Sequence, residues 1–184
     1  MSRARGPVFV TGNAAKLAEA RRLAGPGLES VAVDLPEIQS LDLREILAAK
    51  AAEAWRRLQR PLIVEETGLE LAALGGFPGP LVKWMLQALG AEGLARAALA
   101  LGDPRATARC ALLYRDAERT VSVEGATHGE LVLPARGTAG FGWDPVFQPE
   151  GESRTFGELD GVEKDRISHR GRAWRELLAQ LPLH

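Results

Sequence analysis

The order of strand and helix patterns along the chain is the feature that most restricts its fold. Three short apolar strand segments alternate with two helical segments over the first third of the chain, at residues 7–10, 14–24, 30–35, 43–58 and 62–65. Two longer strand segments, 105–116 and 119–131, then follow each other across a turn near Ala117 and Glu118. Strands separated by helices usually pair in parallel and strands joined by a turn pair antiparallel, so we predict an α/β fold with a mixed sheet.

The remaining segments complete a single domain. The glycine-rich stretch GGFPGP precedes two helical patterns, about 81–89 and 91–101, and Gly90 and Gly102 are their predicted ends. Residues 138–149 are loop-rich, and a last helix is expected over 167–181. The chain has 184 residues, 46% of them hydrophobic, and no internal repeat or linker, so we expect one compact domain over residues 1–184.

Charge and composition exclude several functional classes. The formal net charge is −1, which gives no general attraction for nucleic acid or for an anionic membrane. No run of about 18 apolar residues exists, and the basic N-terminus is followed by too short an apolar segment for a signal peptide, so we expect a cytoplasmic protein. Cys110 is the only cysteine and lies in an apolar run, where we expect a buried small hydrophobic residue.

Lysine is scarce in this chain. Only four of the 23 basic residues are lysines, namely Lys16, Lys50, Lys83 and Lys164, and the others are arginines. A lysine presents a compact charge with three rotatable donors, whereas an arginine presents a planar fork, so a site that needs the former does not readily accept the latter. The four lysines are therefore candidates for functional roles.

The first motif, Thr11-Gly12-Asn13-Ala14-Ala15-Lys16, joins a strand to a helix. Such a turn presents unpaired N–H groups and the positive end of the helix dipole to an anion. Lys16 lies in the first turn, where the dipole disfavours a cation unless a phosphate is bound nearby. The alternative is an ordinary Asn13 cap with a solvated lysine, because the loop is not the eight-residue Walker pattern.

Three acidic residues form the second pattern. Glu65 and Glu66 follow the apolar residues Leu62 to Val64, and alternation along a strand sends their side chains to opposite faces, so one of them needs a partner or a cation. Glu45 precedes them on the second helix, where it also fits a capping box with Asp42. Carboxylates that converge at a strand end suit Mg²⁺, which takes one or two of them with water and phosphate oxygens. Hydrated acids at a strand end are the structural alternative.

Two further motifs lie in the second half of the chain. Phe141-Gly142-Trp143-Asp144-Pro145 combines two aromatic rings with a carboxylate, which suits either a packed loop or a purine pocket. Residues 163–170, EKDRISHR, have mixed charge and by spacing alone fit a solvated helix start.

Together these motifs identify a family. TGNAAK, EETGL, LGGFPGPLVKW, FGWDPVFQPEG and EKDRISHRGRA occur in the same order in the inosine triphosphate pyrophosphatase family, and the resemblance covers about residues 8–173. The resemblance implies a bilobed domain with a strongly twisted sheet and a cleft between the lobes. It also implies a homodimer and hydrolysis of ITP, dITP or XTP to the monophosphate and pyrophosphate with Mg²⁺, which cleanses the nucleotide pool.

The resemblance also implies roles for individual residues. Thr11 to Lys16 correspond to the triphosphate-binding loop, Glu45 and Glu66 to the metal ligands, and Glu66 to the base that activates water. Phe141 to Asp144 correspond to the nucleoside pocket, and the remaining substrate contacts correspond to Thr67, Lys83, Lys164, His169 and Arg170. The last two would donate to the 6-keto group that hypoxanthine and xanthine have and adenine lacks.

One departure from the family concerns the acidic pair. Relatives usually have Asp at one or both of the positions of Glu65 and Glu66, so the roles of the two acids stay open. We expect a raised proton affinity for Glu66 from its neighbour Glu65, which would suit a base. Two alternatives remain: a catalytically inactive nucleotide-binding protein, and a related pyrophosphatase that acts on other modified nucleotides.

Overall fold

The computed structural model describes residues 6–181 and shows a seven-stranded mixed sheet flanked by helices. The strands are β1 (Val8–Val10), β2 (Ser30–Val31), β3 (Leu62–Leu71), β4 (Pro78–Gly79), β5 (Arg105–Arg115), β6 (Thr120–Leu131) and β7 (Phe147–Pro149). The α-helices are α1 (Ala14–Ala24), α2 (Leu43–Leu58), α3 (Val82–Ala100), α4 (Gly161–Ile167) and α5 (His169–Gln180). The order of the strands is β2-β1-β3-β5-β6-β7, and β4 pairs with β3 outside this path.

The pairing directions confirm the predicted mixed sheet. β1 is parallel to both β2 and β3, as expected for strands that are separated by helices. β5 is antiparallel to β3 along ten residue pairs and antiparallel to β6 along eleven. The hairpin between β5 and β6 turns at the predicted position, and α1 and α2 have the predicted bounds.

The sequence predicted that β3 ends at Glu65, but the strand is longer. It continues to Leu71 because β5 pairs with it over its whole length, from Leu62 opposite Arg115 to Leu71 opposite Ala106. The parallel partner β1 has its last pair with β3 at Ile63. Glu65 and Glu66 therefore lie within a long strand but just beyond the carboxyl end of its parallel neighbour, where ligand crevices form in α/β sheets.

Three other elements differ from the predictions or refine them. β2 has only two residues, so most of the predicted strand over 30–35 is loop. α3 contains a non-helical Gly90 with φ 69° and ψ 177°, which separates the two predicted helices at a kink. A separate helix, α4, precedes α5, and Ser168 caps α5 by accepting a hydrogen bond from the Gly171 N–H.

Three apolar clusters form the core on different parts of the sheet. The first lies under α3 and β7 and includes Leu94, Phe147 and Phe156. The second lies under α1 and α5 and includes Phe9, Leu112 and Trp174. The third lies under α2 and includes Leu47, Leu62 and Val64. Cys110 is buried in the second cluster, as predicted. Within residues 6–181, no helix is both long and apolar enough to cross a membrane.

Candidate active site

A cleft of about 900 Å³ opens beyond the end of β1 and along β3. The loop after β1, residues 33–39, the inner face of α2, the start of α3 and residues 141–143 form its walls. These segments belong to different parts of the core, so the cleft separates the part under α3 from the part under α1 and α2. Most of the motifs predicted to be functional meet here.

The loop Thr11 to Lys16 forms one end of the cleft. Asn13 caps α1, and its Oδ1 accepts hydrogen bonds of 3.0 Å from both the Ala15 and the Lys16 N–H groups. Thr11 Oγ1 accepts from the Asn13 N–H at 3.1 Å. The predicted cap is therefore present, and it fixes the loop at the positive end of the helix, where an anion is favoured.

Glu65 and Glu66 point to opposite faces of β3, as alternation requires. The Glu65 carboxylate is buried and binds Lys16 Nζ at 3.3 Å and Arg170 Nε at 3.1 Å. Burial raises the pKa of Glu65, but the charges of Arg170 and Lys16 outweigh burial and hold it below its usual value. The two acids therefore both line the cleft, but they have different partners.

The Glu66 carboxylate faces α2 and meets Lys50. Lys50 Nζ lies 2.5 Å from Glu66 Oε2 and 3.1 Å from Glu37 Oε1, so the ammonium bridges the two acids. The other Glu37 oxygen lies 3.1 Å from Lys83 Nζ. Burial lowers the pKa of Lys50, but the charges of Glu66 and Glu37 raise it by more than burial lowers it. The pKa of Lys50 is therefore above its usual value, and the lysine stays charged.

Sequence reasoning missed Glu37 and Lys50 as members of this site. Lys50 carried a signal, because it is one of only four lysines in the chain. Glu37 carried none, because it lies in an irregular segment after a strand of only two residues.

Glu45 lies outside this group. Its carboxylate accepts a hydrogen bond from Ser40 Oγ at 2.7 Å at the exposed start of α2, and it does not line the cleft. Asp42 caps α2 by accepting from the Arg44 N–H, but the reciprocal bond of a capping box is missing. Ile46 and Lys50, which are four residues apart and share one face of α2, are the helix side chains that line the cleft, whereas Glu45 lies on another face.

The aromatic loop closes the other end of the cleft. Phe141, Gly142 and Trp143 line the cleft wall, whereas Asp144 is buried behind them. Asp144 Oδ2 accepts from the Phe141 N–H at 2.7 Å and from Lys164 Nζ at 2.6 Å. Burial raises the pKa of Asp144, and Lys164 offsets this shift only in part.

His169 and Arg170 are buried behind the same wall, at the start of α5. Arg170 binds Glu65 on one side and Glu19 on the other, and its guanidinium carbon lies 5.3 Å from the centre of the Phe141 ring. Burial, followed by the charges of Arg170 and Lys164, lowers the pKa of His169 well below its usual value, so the ring is neutral at pH 7. Among the described residues, His169 Nδ1 has no hydrogen-bond partner.

The segment 163–170 is therefore not the solvated helix start that its spacing indicated. Lys164, Asp165, Ser168, His169 and Arg170 are all buried. Their charges are balanced by Glu19 on α1, Glu65 on β3 and Arg22 on α1. Since buried charges persist only with partners, this segment forms a constructed polar interior behind the cleft.

The structure thus sorts the predicted site residues into four groups. Cleft-lining side chains or backbone are contributed by Thr11, Gly12, Asn13, Lys16, Glu66, Thr67, Lys83, Phe141, Gly142 and Trp143. Ala14 and Ala15 lie in the adjoining first turn of α1, and Asp144, Lys164, His169 and Arg170 lie buried behind the wall. Glu45 alone is placed elsewhere.

Residues 6–181 contain no group of three or more His, Cys, Asp or Glu side chains placed to hold a metal ion. Four acids line the cleft, namely Asp34, Glu37, Glu65 and Glu66. Of these, Glu37 and Glu66 lie close to each other, on either side of the Lys50 ammonium. Two carboxylates with room for water and phosphate oxygens are the donor set that Mg²⁺ usually takes from a protein. The residues present therefore fit this ion.

The chain is similar to known proteins along nearly its full length. The model of the Ham1 family matches residues 7–180. The inosine triphosphate pyrophosphatase of Fusarium vanettenii is 42% identical over 175 residues, which are 93% of each chain. A HAM1 protein from Coxiella burnetii superposes with a TM-score of 0.78 at 28% identity, over 95% of this chain and 97% of that one. A nucleoside-triphosphatase, or dITP/XTP pyrophosphatase, from Mycobacterium abscessus superposes with a TM-score of 0.68 at 31% identity, over 95% and 98%.

Proposed function

Because the chain belongs to the Ham1 family, we propose that it is a pyrophosphatase that converts ITP, dITP and XTP to the nucleoside monophosphate and pyrophosphate. The match agrees with the resemblance read from the five motifs. The observation that carries the proposal is one cleft with a helix-capped loop at one end, an acid–lysine cluster on its floor and an aromatic wall at the other end. These three parts suit a triphosphate, a hydrolytic centre and a purine base.

The loop from Thr11 to Lys16 would bind the phosphates that leave as pyrophosphate. Its Asn13 cap holds the backbone at the positive end of α1, and Lys16 and Lys83 bring two cations to the same cleft. Charge-assisted hydrogen bonds from these groups would stabilise negative charge on the leaving group.

Mg²⁺ would be held by Glu66 and Glu37, and Glu37 takes the place that the sequence had suggested for Glu45. When bound, the ion withdraws charge from the phosphate oxygens. Lys50 lies between the same two carboxylates and would keep them close together while donating its one remaining hydrogen to a phosphate oxygen.

Glu66 would hold and deprotonate the attacking water. Its Oε1 accepts from the Thr67 N–H at 3.2 Å, which orients the carboxylate, and the Thr67 side chain lies beside it in the cleft. A carboxylate positioned in this way contributes about 10²- to 10⁴-fold as a general base. The nucleophile would attack the α-phosphorus, and the charge would move to the pyrophosphate near Lys16.

The base would lie against the aromatic wall. Arg170 is held by two carboxylates and still has N–H groups that are free to donate, since its hydrogen bonds to Glu19 and Glu65 use only part of its five donors. A neutral His169 has one donor and one acceptor. These groups would pair with the 6-keto edge of hypoxanthine or xanthine, and an adenine amino group would leave them unsatisfied.

The decisive experiment supplies ITP, XTP, GTP and ATP separately with Mg²⁺ and identifies the products. The proposal expects monophosphate and pyrophosphate from ITP and XTP, with ATP turned over at least ~10²-fold more slowly. Equal turnover of ATP would refute the base pocket, and nucleoside diphosphate with orthophosphate would refute the reaction.

A Glu66→Gln variant separates catalysis from binding. It should lower kcat by about 10²- to 10⁴-fold and still bind ITP, because the phosphate loop and the base wall are unchanged. If neither the wild type nor the variant turns over any of these nucleotides while both bind ITP, the protein is the inactive nucleotide-binding alternative.

We also propose that the protein is a cytoplasmic homodimer that cleanses the nucleotide pool, as the family resemblance implies. The face of β5 and β6 opposite α5 supports a partner, because Thr107, Arg109 and Ala126 are partly exposed and His128 is exposed on it. Light scattering should give twice the chain mass of 19.8 kDa. An Ala126→Arg variant should dissociate to the single-chain mass, and a single-chain mass for the wild type would refute the dimer.

A further inference from the structure

Glu65 has no role in the reaction described above, although its carboxylate is the most deeply buried acid of the site. Its side chain is 2% exposed, and it lies on the face of β3 opposite Glu66. A buried carboxylate is costly unless it is paired, so its partners indicate what its position serves.

The partners of Glu65 come from the two ends of the cleft. Glu65 Oε1 lies 3.3 Å from Nζ of Lys16, which belongs to the phosphate loop. Both carboxylate oxygens accept from Arg170 Nε, at 3.2 and 3.1 Å, and Oε1 also accepts from Arg170 Nη2 at 3.1 Å. Arg170 belongs to the wall proposed for the base.

The neighbouring acid, Glu19, does not provide the same link. It binds Arg170 and Lys164, which both belong to the base end of the cleft, and it has no ion pair with the phosphate loop among the described residues. Within residues 6–181, Glu65 is the acid whose ion pairs include both a cation of the phosphate loop and a cation of the base wall.

We propose that Glu65 is a positioning residue that couples the phosphate end of the cleft to its base end through these two cations. This inference rests on the proposed function, which assigns the two ends. A polyphosphate that binds Lys16 neutralises its charge, and the Glu65 carboxylate is then released to pair fully with Arg170. The guanidinium is thereby fixed for the base, so each half of the substrate strengthens the binding of the other half.

Coupling of this kind is reciprocal and can be measured without catalysis. The experiment measures the affinity of the full chain for inosine by calorimetry, without divalent metal, in the absence and in the presence of saturating inorganic tripolyphosphate. In the wild type, tripolyphosphate should raise the affinity for inosine by about fivefold or more.

Two variants test the residue itself. Glu65→Gln has the same size but no charge, and Glu65→Asp keeps the charge but is one methylene shorter, so it cannot reach both cations. Both should bind inosine with the same affinity with and without tripolyphosphate. If Glu65→Gln does not fold, Glu65→Asp decides the question, since thermal melting monitors folding separately from the ratio of the two affinities.

Glu53→Gln is the matched control. Glu53 also bridges two cations, Arg56 and Arg57 at 2.7 and 2.5 Å, but it lies on α2 outside the cleft. This variant should keep the full wild-type coupling.

Coupling that survives in the Glu65 variants would overturn the proposed role of Glu65 and leave the proposed function intact. A wild-type affinity for inosine that tripolyphosphate does not raise would have the same consequence. Failure of inosine to bind under any condition would overturn it together with the proposed base pocket. A variant that only loses thermal stability and keeps the wild-type ratio would show that Glu65 is structural.

Discussion

Gly125 of β6 lies against the start of α5, and we predict that Gly125→Ala disturbs the base wall from outside the cleft. A Cβ at this position would lie 2.2 Å from the His169 carbonyl oxygen and 2.6 Å from the Ala173 backbone N. Both neighbours are backbone atoms, so no side chain can rotate away. The start of α5 would have to move by about 1 Å to restore ordinary contact distances.

The cost of this movement has two parts. Overpacking of this kind destabilises a domain by about 1–3 kcal/mol, and we expect the upper half of that range because backbone on both sides resists. A displacement of about 1 Å at His169 and Arg170 would also lower kcat/KM for ITP by as much as ~10²-fold, since a catalytic constellation is sensitive to such shifts.

Chemical denaturation and steady-state kinetics with ITP measure the two parts separately. Gly27→Ala is the matched control, because a Cβ at Gly27 meets nothing within 4 Å, and it should change neither value. A Gly125→Ala protein with wild-type stability and wild-type kinetics would show that α5 does not fix the base wall through this contact, contrary to our prediction.

Three further predictions concern the floor of the cleft and the buried histidine. Lys50→Met removes the ammonium between Glu37 and Glu66. It should lower kcat/KM for ITP by about 10- to 100-fold, because a hydrogen bond to a charged group is lost. Unchanged kinetics would contradict the proposed role of Lys50. Glu37→Gln should raise the Mg²⁺ concentration for half-maximal activity by roughly tenfold, whereas Glu45→Gln should not change it, and the reverse result in a Mg²⁺ titration would restore Glu45 as the ligand. Burial lowers the pKa of His169, so below pH 6.5 the unfolded chain takes up a proton that the folded chain does not, and the free energy of unfolding should fall with decreasing pH by at most about 1.4 kcal/mol per unit. Denaturation between pH 7.5 and about 5 should show that slope in the wild type and in His128→Asn but not in His169→Asn, and a slope that persists in His169→Asn would contradict the assignment.

The sequence predicts the parts of this site that depend on local structure. The phosphate loop follows from a strand, a glycine turn and a helix with Asn13 as its cap, all within a few residues. The opposite directions of Glu65 and Glu66 follow from strand alternation alone. The helix bounds of α1 and α2 follow from their apolar stripes and their ends.

The parts that depend on distant pairing could not be predicted from local pattern. β3 continues past its acids because β5, about 40 residues later, supplies hydrogen bonds along the whole strand. The buried network joins Arg170 to Glu65 and Glu19, which are 105 and 151 residues away in the chain. The composition of residues 163–170 therefore predicts a solvent-exposed segment. The segment is buried because α1 and β3 supply partners for its charges.

The missed pair, Glu37 and Lys50, shows an intermediate case. Lys50 was marked by the scarcity of lysine, but its role needed Glu37, which has no periodic context. Glu45 fitted both a cap and a metal ligand by sequence, and the choice between Glu45 and Glu37 depends on how the loop over 33–39 folds against α2.

Hydrolysis of ITP in water enriched in ¹⁸O, followed by mass spectrometry of both products, identifies the phosphorus atom that water attacks. We predict one labelled oxygen in inosine monophosphate and none in pyrophosphate, because water held by Glu66 would attack the α-phosphorus and pyrophosphate would leave near Lys16. Label in pyrophosphate would place the attack at the β-phosphorus, and label in orthophosphate would place it at the γ-phosphorus. Either result would contradict the assignment of the cleft.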